Sequence, residues 1–270
     1  MSESATPRKV RTHTLRDFKR EGRPITMLTS YDTFSARIFD EAGIDVLLVG
    51  DSAGNTVLGY DSTVYTKHED IVRFTGAVAR SCTRPLVLAD LAFGTYQASV
   101  EDAVRHGVEL MQAGAHAVKL EGGREILPQV EALVNAGIPV CGHVGFTPQS
   151  VNQLGGFKVQ GRGEGADALL ADAVALEEAG AFAVVLELVP APLATRVSET
   201  LEVPTIGIGA GAGCDGQVLV WQDMAGLSGF EPRFVKAFAD LRSELSRAAR
   251  EYADAVRAKS FPAPEHTFEQ

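Results

Sequence analysis

The chain has 270 residues, of which 45% are hydrophobic and 22% charged, and its formal net charge is −10 at pH 7. This is ordinary globular composition, and the length suits one or two domains. An acidic chain repels phosphate backbones, so nucleic acid is not an expected partner. Residues 1–10 lack the apolar core of a signal peptide, and no run reaches the roughly 18 apolar residues of a membrane span. We therefore expect a soluble, cytoplasmic protein.

The cysteines indicate a reducing compartment. Cys82, Cys141 and Cys214 are odd in number, far apart in the chain, and not spaced like a metal site. This pattern predicts free thiols and argues against a disulfide framework.

From residue 25 onward, short apolar runs alternate with helix-like stretches. Before them, the basic residues near the start of the chain are interleaved with acidic ones and predict a solvated leader or first helix over residues 1–24. The apolar runs lack clean alternation, which is typical of parallel strands covered on both faces. Eight such strands are predicted, beginning at Ile25, Asp45, Pro85, Ala117, Pro139, Ala183, Pro204 and Gln217.

The stretches between the predicted strands have helix signals. Three of them end near Gly43, Gly114 and Gly180, where a helix C-terminus favours a left-handed residue. Ser99 has the character of an N-cap for the second of these helices. The phrases AGAHAVKLE and AGAFAVVLE, 66 residues apart, repeat one helix-end-to-strand unit, as is common in barrels.

Eight strand–helix units predict a single (β/α)8 TIM barrel over residues 25–260, followed by a C-terminal tail at residues 261–270. A doubly wound open sheet is the alternative. Two long connections, residues 54–70 after the second strand and residues 146–165 after the fifth, are predicted to be lids or binding loops.

Ionisable residues occupy the carboxyl ends of nearly all the predicted strands. In a (β/α)8 barrel, active sites lie at these ends. Any one of them alone is more simply explained as a loop-facing polar residue, but together they predict a converging polar site. They are Asp32, Asp51 with Ser52, Asp90, Lys119 with Glu121, His143, Glu187 and Asp223.

Three carboxylates from successive strands predict a divalent metal site. Asp51, Asp90 and Glu121 are hard oxygen ligands without a histidine pair or thiolate, which suits Mg²⁺ or Mn²⁺ better than zinc. Mg²⁺ commonly takes one or two direct carboxylates, so one of the three is free to act through water. The alternative is that the carboxylates only repel one another and raise their pKa values.

Lys119, Glu187 and His143 are candidates for proton and charge chemistry. Side chains two residues apart on a strand share a face, so Lys119 lies beside Glu121. Lys119 suits a fixed charge for a substrate carboxylate or enolate, with a Schiff base as the alternative. Glu187 is a candidate general base, and the alternative is a surface glutamate. His143 is a candidate for positioning the substrate or shuttling protons, and the alternative is a packed core histidine.

The glycine-rich run IGIGAGAGCDG at residues 206–216 is a weak match to a phosphate loop, because it lacks the lysine of a P-loop. Tight packing of the loop explains its glycines equally well, and we assign it no function.

Several short motifs, in the same order along the chain, resemble the ketopantoate hydroxymethyltransferase family. The resemblance runs from about residue 10 to residue 267, nearly the whole chain. The motifs are TSYD at 29–32, GDSAGN at 50–55, ADLAFG at 89–94, VKLEGG at 118–123, GHVGFTPQ at 142–149, LELVP at 186–190 and IGIGAGAGCDGQVLVWQDMAG at 206–226.

The resemblance implies a phosphoenolpyruvate/pyruvate-type barrel that uses Mg²⁺. It implies that Asp51, Asp90 and Glu121 hold the metal and that Glu187 is the proton acceptor. Residues implied to contact the 2-oxo acid substrate are Asp51, Ser52, Asp90 and Lys119, together with His143, whose role is carried over less directly.

The resemblance also implies the reaction. A hydroxymethyl group would pass from 5,10-methylenetetrahydrofolate to 3-methyl-2-oxobutanoate through a Mg-stabilised enolate, giving ketopantoate for pantothenate and coenzyme A biosynthesis. A homo-oligomer, specifically a decamer, is expected. The competing interpretations are a Mg²⁺-dependent lyase or mutase acting on a related 2-oxo acid, and a non-catalytic barrel that only binds a metal–oxo-acid complex.

Overall fold

Eight parallel strands close into a barrel in the structure, a computed structural model that describes residues 8–268. Each strand pairs with the next one along the chain, and β8 pairs with β1, with Gly216 opposite Ile25. The predicted TIM barrel is therefore confirmed, and the open sheet is wrong. The strands are β1 Ile25–Thr29, β2 Val46–Val49, β3 Leu86–Asp90, β4 Ala117–Glu121, β5 Val140–Gly145, β6 Ala183–Glu187, β7 Thr205–Ile208 and β8 Gly216–Leu219.

Helices fill most of the connections between the strands. Up to Val220, the α-helices are α1 Thr12–Arg20, α2 Thr33–Glu41, α3 Ala53–Thr56, α4 His68–Ala79, α5 Val100–Ala113, α6 Leu127–Asn135, α7 Val151–Leu154, α8 Gly165–Glu178 and α9 Ala191–Thr200. The predicted start and stop signals hold for α5. The Ser99 hydroxyl accepts a hydrogen bond from the Asp102 N–H at 3.0 Å, and Gly114 ends the helix with φ of +113°.

One predicted strand–helix unit is incomplete. The connection from β7 to β8, residues 209–215, contains no helix, so the prediction of eight complete units is wrong there. Its glycines lie against α9: a Cβ at Gly213 would come within 2.0 Å of Thr195 Oγ1, and one at Gly211 within 2.6 Å of Ala191 Cβ. The glycine-rich run is thus explained by close packing of the loop.

The first helix packs against one end of the barrel. Leu15 and Phe18 of α1 are buried in the same apolar cluster as Ile25, Val46 and Ala117, which are the first residues of their strands. The predicted first helix is confirmed, but its apolar face is buried and not solvated. α1 therefore covers the amino-terminal end of the barrel, opposite the end where the strand-end charges lie.

The chain forms two compact units, one up to Val220 and one from Trp221 onward. The second contains α10 Trp221–Met224 and α11 Leu241–Arg257. Strand eight ends at Leu219, so the predicted strand that included Asp223 is too long. Asp223 lies in α10, where it accepts a hydrogen bond from Ser228 Oγ, and it is not a strand-end residue.

The domain limits predicted at residues 24 and 260 stay predictions, and residues 1–7 of the leader and 269–270 of the tail lie outside the described residues. The three cysteines are all free thiols, as expected. No helix between residues 8 and 268 is long and apolar enough to cross a bilayer.

Candidate active site

Strand register brings the predicted charges into contact at the carboxyl end of the barrel. Asp90 at the end of β3 is the register partner of Lys119 on β4. Glu121 at the end of β4 is the register partner of His143 on β5. Asp51 lies two residues beyond the end of β2, and its backbone N–H donates a hydrogen bond to Asp90 Oδ2 at 3.0 Å. Parallel pairing of neighbouring strands therefore builds the cluster, as the sequence predicted.

Lys119 is the buried cation of the cluster. Its Nζ lies 2.8 Å from Asp90 Oδ1 and 4.0 Å from Glu121 Oε1, and its side chain is 5% exposed. Burial alone would lower the pKa of Lys119, but the neighbouring charges of Asp90, Glu121 and Asp51 outweigh it and raise the pKa. A lysine held protonated in this way suits the fixed-charge role and not a Schiff base.

Three buried carboxyl groups surround Lys119, and burial and mutual repulsion raise the pKa values of two of them. Asp51, Asp90 and Glu121 are 4%, 2% and 5% exposed. Burial, followed by repulsion from Asp90 and Glu121, raises the pKa of Asp51 to about 8. Burial also raises the pKa of Asp90 in spite of the contact with Lys119. Buried like charges are costly without a cation, so the cluster has the electrostatics of a cation site.

The three carboxylates predicted to hold Mg²⁺ lie together, and each also contacts protein groups. Glu121 is engaged, because its Oε2 accepts the Gln149 backbone N–H at 2.9 Å and its Oε1 lies 3.5 Å from His143 Nδ1. Within residues 8–268, no three His, Cys, Asp or Glu side chains are arranged as a complete metal site. Carboxylates are nonetheless the hard oxygen donors that Mg²⁺ takes, so the residues present fit the predicted ion.

His143 connects the carboxylate cluster to Glu187. Its Nδ1 faces Glu121 at 3.5 Å, and its Nε2 faces Glu187 Oε2 at 3.3 Å. Burial and the nearby Lys119 lower the pKa of His143, but the facing carboxylates of Glu121 and Glu187 outweigh them and raise it to about 9. His143 is buried, as the core-histidine interpretation required, yet both of its ring nitrogens face carboxylates of the candidate site.

Glu187 lies at the end of β6 with its side chain only 14% exposed, so the surface-glutamate interpretation is wrong. Its position depends on Gly145, the register partner on β5. Gly145 has φ of +97°, and a Cβ there would lie 2.2 Å from the Glu187 carbonyl oxygen. Only glycine therefore lets the two strand ends approach as they do.

Ser52 lies in the carboxylate cluster, whereas Asp32 lies at the start of α2. Ser52 Oγ lies 2.7 Å from the hydroxyl of Tyr31, next to Asp51 in the chain. A Cβ at Gly50 would come within 2.9 Å of Ser52 Oγ and 3.5 Å of Asp90 Oδ2, so Ser52 belongs to the cluster. Asp32 instead caps α2, accepting hydrogen bonds from the N–H groups of the next helical turn. Its assignment to the converging site is wrong.

Two site residues were missed in the sequence. Gln149 donates from Nε2 to Asp51 Oδ2 at 2.9 Å, and from its backbone N–H to Glu121. The Tyr96 hydroxyl accepts the Glu121 N–H at 3.1 Å and lies 2.8 Å from Gln149 Oε1. Gln149 closes the GHVGFTPQ motif, a signal that was available. Tyr96 lies in a loop after β3 and carried no pattern of its own.

A closed barrel with a buried ionised cluster at the carboxyl ends of its strands defines a (β/α)8-barrel enzyme. Solved structures with this fold include a phosphonopyruvate hydrolase complexed with oxalate and Mg²⁺, at TM-score 0.62 and 14% identity over 95% of this chain and 93% of that one. A phosphoenolpyruvate phosphomutase from Streptomyces platensis subsp. rosaceus has TM-score 0.63 and 15% identity over 96% and 92%. The likeness to these proteins concerns the fold.

Sequence comparison is more specific. The family model of ketopantoate hydroxymethyltransferase matches residues 9–264. A protein of Saccharopolyspora erythraea named 3-methyl-2-oxobutanoate hydroxymethyltransferase is 60% identical over 97% of this chain and 90% of its own length. One of the same name from Leifsonia xyli subsp. xyli is 55% identical over 98% and 96%. The chain belongs to the ketopantoate hydroxymethyltransferase family and is an enzyme.

Proposed function

We propose that the chain forms ketopantoate from 3-methyl-2-oxobutanoate, with 5,10-methylenetetrahydrofolate as the one-carbon donor, in pantothenate and coenzyme A biosynthesis. The observation that carries the proposal is the buried cluster around Lys119, in a chain 60% identical to a protein with that hydroxymethyltransferase name. A non-catalytic barrel has no need to keep a buried lysine, a base and a carboxylate cluster together.

In this proposal, Asp51, Asp90 and Glu121 would hold Mg²⁺. Bound there, the metal would supply Lewis-acid polarisation of the ketone and carboxylate of the 2-oxo acid. Gln149 holds Asp51 in place through its Nε2 donor, at 2.9 Å from Asp51 Oδ2. Ser52 is adjacent, and its hydroxyl can accept the Tyr31 O–H, 2.7 Å away, while it donates to the substrate carboxylate.

Glu187 takes the proton from C3 of the substrate, which leaves the electron pair of the broken C–H bond to delocalise into the neighbouring ketone as an enolate. Lys119 offsets the negative charge that collects on the substrate oxygens. His143, whose Nε2 lies 3.3 Å from Glu187 Oε2, positions the base.

C3 then attacks the methylene carbon of the folate. One C–C bond forms. The methylene carbon is held by two C–N bonds, to N5 and to N10, and both break: one as the C–C bond forms, and the other as a water molecule supplies the hydroxyl group of ketopantoate. The two nitrogens of tetrahydrofolate gain one proton from that water and one equivalent to the proton lost from C3. The proton that Glu187 gained is released to solvent or to the departing nitrogen. Atoms and charge balance without an oxidant or reductant.

We also propose that the enzyme acts in the cytoplasm as a homo-oligomer, a decamer by family resemblance. In support, α11 carries Leu245 and Tyr252 two helical turns apart, so both lie on one apolar face of the helix. Sedimentation velocity of the full chain distinguishes a decamer from smaller assemblies.

The proposal is tested by following products by NMR. Wild-type enzyme is given 3-methyl-2-oxobutanoate with Mg²⁺, with and without 5,10-methylenetetrahydrofolate, and again with EDTA. Ketopantoate that appears only with both folate and Mg²⁺ supports the proposal. Turnover of a 2-oxo acid in the absence of folate would instead support a lyase or mutase. Absence of any turnover would support a non-catalytic barrel that only binds its ligands.

A further inference from the structure

A second concave site lies between the two long connections after β2 and β5. It is a cavity of about 340 Å³, within the size range of small-molecule sites. Its walls come from both connections, which the sequence predicted to be lids or binding loops. They are Asn55, Asp61, Ser62, Thr63, Val64, Tyr65, Phe146, Pro148, Val151, Asn152 and Phe157.

The cavity adjoins the carboxylate cluster through shared elements of the chain. Asn55 lies on α3, the short helix that begins two residues after Asp51. Pro148 immediately precedes Gln149, which holds the Asp51 carboxylate. Thr66, next to Tyr65, donates from Oγ1 to the Asp51 carbonyl oxygen at 2.8 Å. A molecule in the cavity is thus beside the place proposed for the 2-oxo acid.

Asp61 is the only charged residue among those that line the cavity. Among residues 8–268, its carboxylate takes part in no hydrogen bond or ion pair. Asp70, in the helix α4 that follows this loop, is by contrast paired. A lone carboxylate repels anionic substrates such as the 2-oxo acid. It suits a neutral ring that presents two parallel N–H donors to its two oxygens.

Aromatic rings form the apolar part of the walls. Tyr65 and Phe157 are 56% and 72% exposed, unusually high values for large aromatic side chains. Phe157 also contacts the buried Phe146, with ring centroids 4.5 Å apart. This contact holds Phe157 in place at the wall. Flat exposed rings of this kind favour a flat heterocyclic ligand, which they can contact face to face or edge to face.

We propose that this cavity binds the pterin ring of the reduced folate, with Asp61 accepting hydrogen bonds from the ring N3–H and the 2-amino group. These two donors form the guanidine-like edge of a pterin, and the ring lies against Tyr65 and Phe157. The inference rests on the proposed function. It adds a specificity-determining carboxylate and places the one-carbon donor next to the carboxylate cluster.

Asp61→Asn tests the inference without changing size. Binding of tetrahydrofolate, and of an analogue whose 2-amino group is replaced by methyl, is measured by isothermal titration calorimetry on the full chain. Loss of a charge-assisted pair predicts about a 10- to 100-fold rise in Kd for tetrahydrofolate. Wild type should discriminate against the analogue, whereas Asp61→Asn should bind both ligands about equally. Glu69→Gln, a neutralisation in the first turn of α4 outside the cavity, is the matched control and should bind as wild type does.

Hydrogen–deuterium exchange at C3 of the 2-oxo acid, measured without folate, separates the two proposals. Asp61→Asn should exchange at the wild-type rate, because Asp61 does not touch the 2-oxo acid. Unchanged tetrahydrofolate affinity in Asp61→Asn, with ketopantoate formation intact in wild type, overturns the pterin site alone. If wild type discriminates against the analogue and Asp61→Asn does not, but wild type forms no ketopantoate, the proposed function is overturned and the pterin site is supported. Wild type that does not bind tetrahydrofolate overturns both.

Discussion

Replacing Lys119 by methionine keeps most of the volume of the side chain and removes the cation from the cluster. In the wild type, Lys119 Nζ lies 2.8 Å from Asp90, and the two side chains are 5% and 3% exposed. Removing one partner of a buried ion pair costs about 3–5 kcal/mol, because the other charge is left uncompensated. We expect a loss of that size in the free energy of unfolding of Lys119→Met when EDTA is present.

Magnesium should reduce this loss, because Asp51 and Asp90 would bind the ion more tightly once the competing lysine is gone. Ligand at about 100 times its Kd adds roughly 2.7 kcal/mol to the folded state. The measurement is urea denaturation of wild type and variant with EDTA and with Mg²⁺. Lys67→Met, an exposed lysine preceding α4, is the control and should change stability by less than about 0.5 kcal/mol. A loss below about 1 kcal/mol for Lys119→Met, equal in EDTA and Mg²⁺, would refute the reasoning.

Three further changes test other parts of the account. Phe18→Ala empties the contact between α1 and the barrel and should lower the free energy of unfolding by about 3–5 kcal/mol in urea denaturation; a loss below about 1 kcal/mol would contradict that packing. Gln149→Ala frees the Asp51 carboxylate and should weaken Mg²⁺ binding about 10-fold or more by calorimetry, unless the predicted metal position is wrong. Burial lowers the pKa of His116 from 6.5 to about 4, and its Nδ1 accepts the Val87 N–H, so the folded state prefers the neutral ring. This contribution to the free energy of unfolding should be fully present above pH 6.5 and should fall by about 1–2 kcal/mol toward pH 4, a value reduced for solvent screening at a partly exposed ring. In denaturation experiments at different pH values, His116→Gln should remove most of this pH dependence.

The barrel and most of its charged rim were predictable, because both depend on local pattern. Apolar runs at regular spacing fixed the strands, and parallel strands in chain order bring their last residues to one end. Lys119 and Glu121 were expected to share a face, and their charged groups lie 4.0 Å apart. The positions of Asp90 and Glu187 at strand ends follow from the same argument.

Features that depend on non-local packing were not predictable. Asp32 has the same sequence signature as Asp51, a carboxylate after an apolar strand, yet it caps α2 because a helix begins at the next residue. Asp223 was placed on β8 because the apolar pattern runs past Leu219, where the strand ends. Gln149 reaches Asp51 across 98 positions in sequence, and no periodicity reports such a contact.

The measurement that tests the central claim most directly is deuterium exchange at C3 of 3-methyl-2-oxobutanoate in D₂O, followed by NMR. Wild type is compared with Glu187→Gln, each with Mg²⁺ and with EDTA. The account predicts exchange by wild type with Mg²⁺, loss of exchange with EDTA, and a rate about 10²- to 10⁴-fold lower in Glu187→Gln. Exchange that survives EDTA, or that proceeds in Glu187→Gln at the wild-type rate, would contradict the metal-assisted enolate and the assignment of the base.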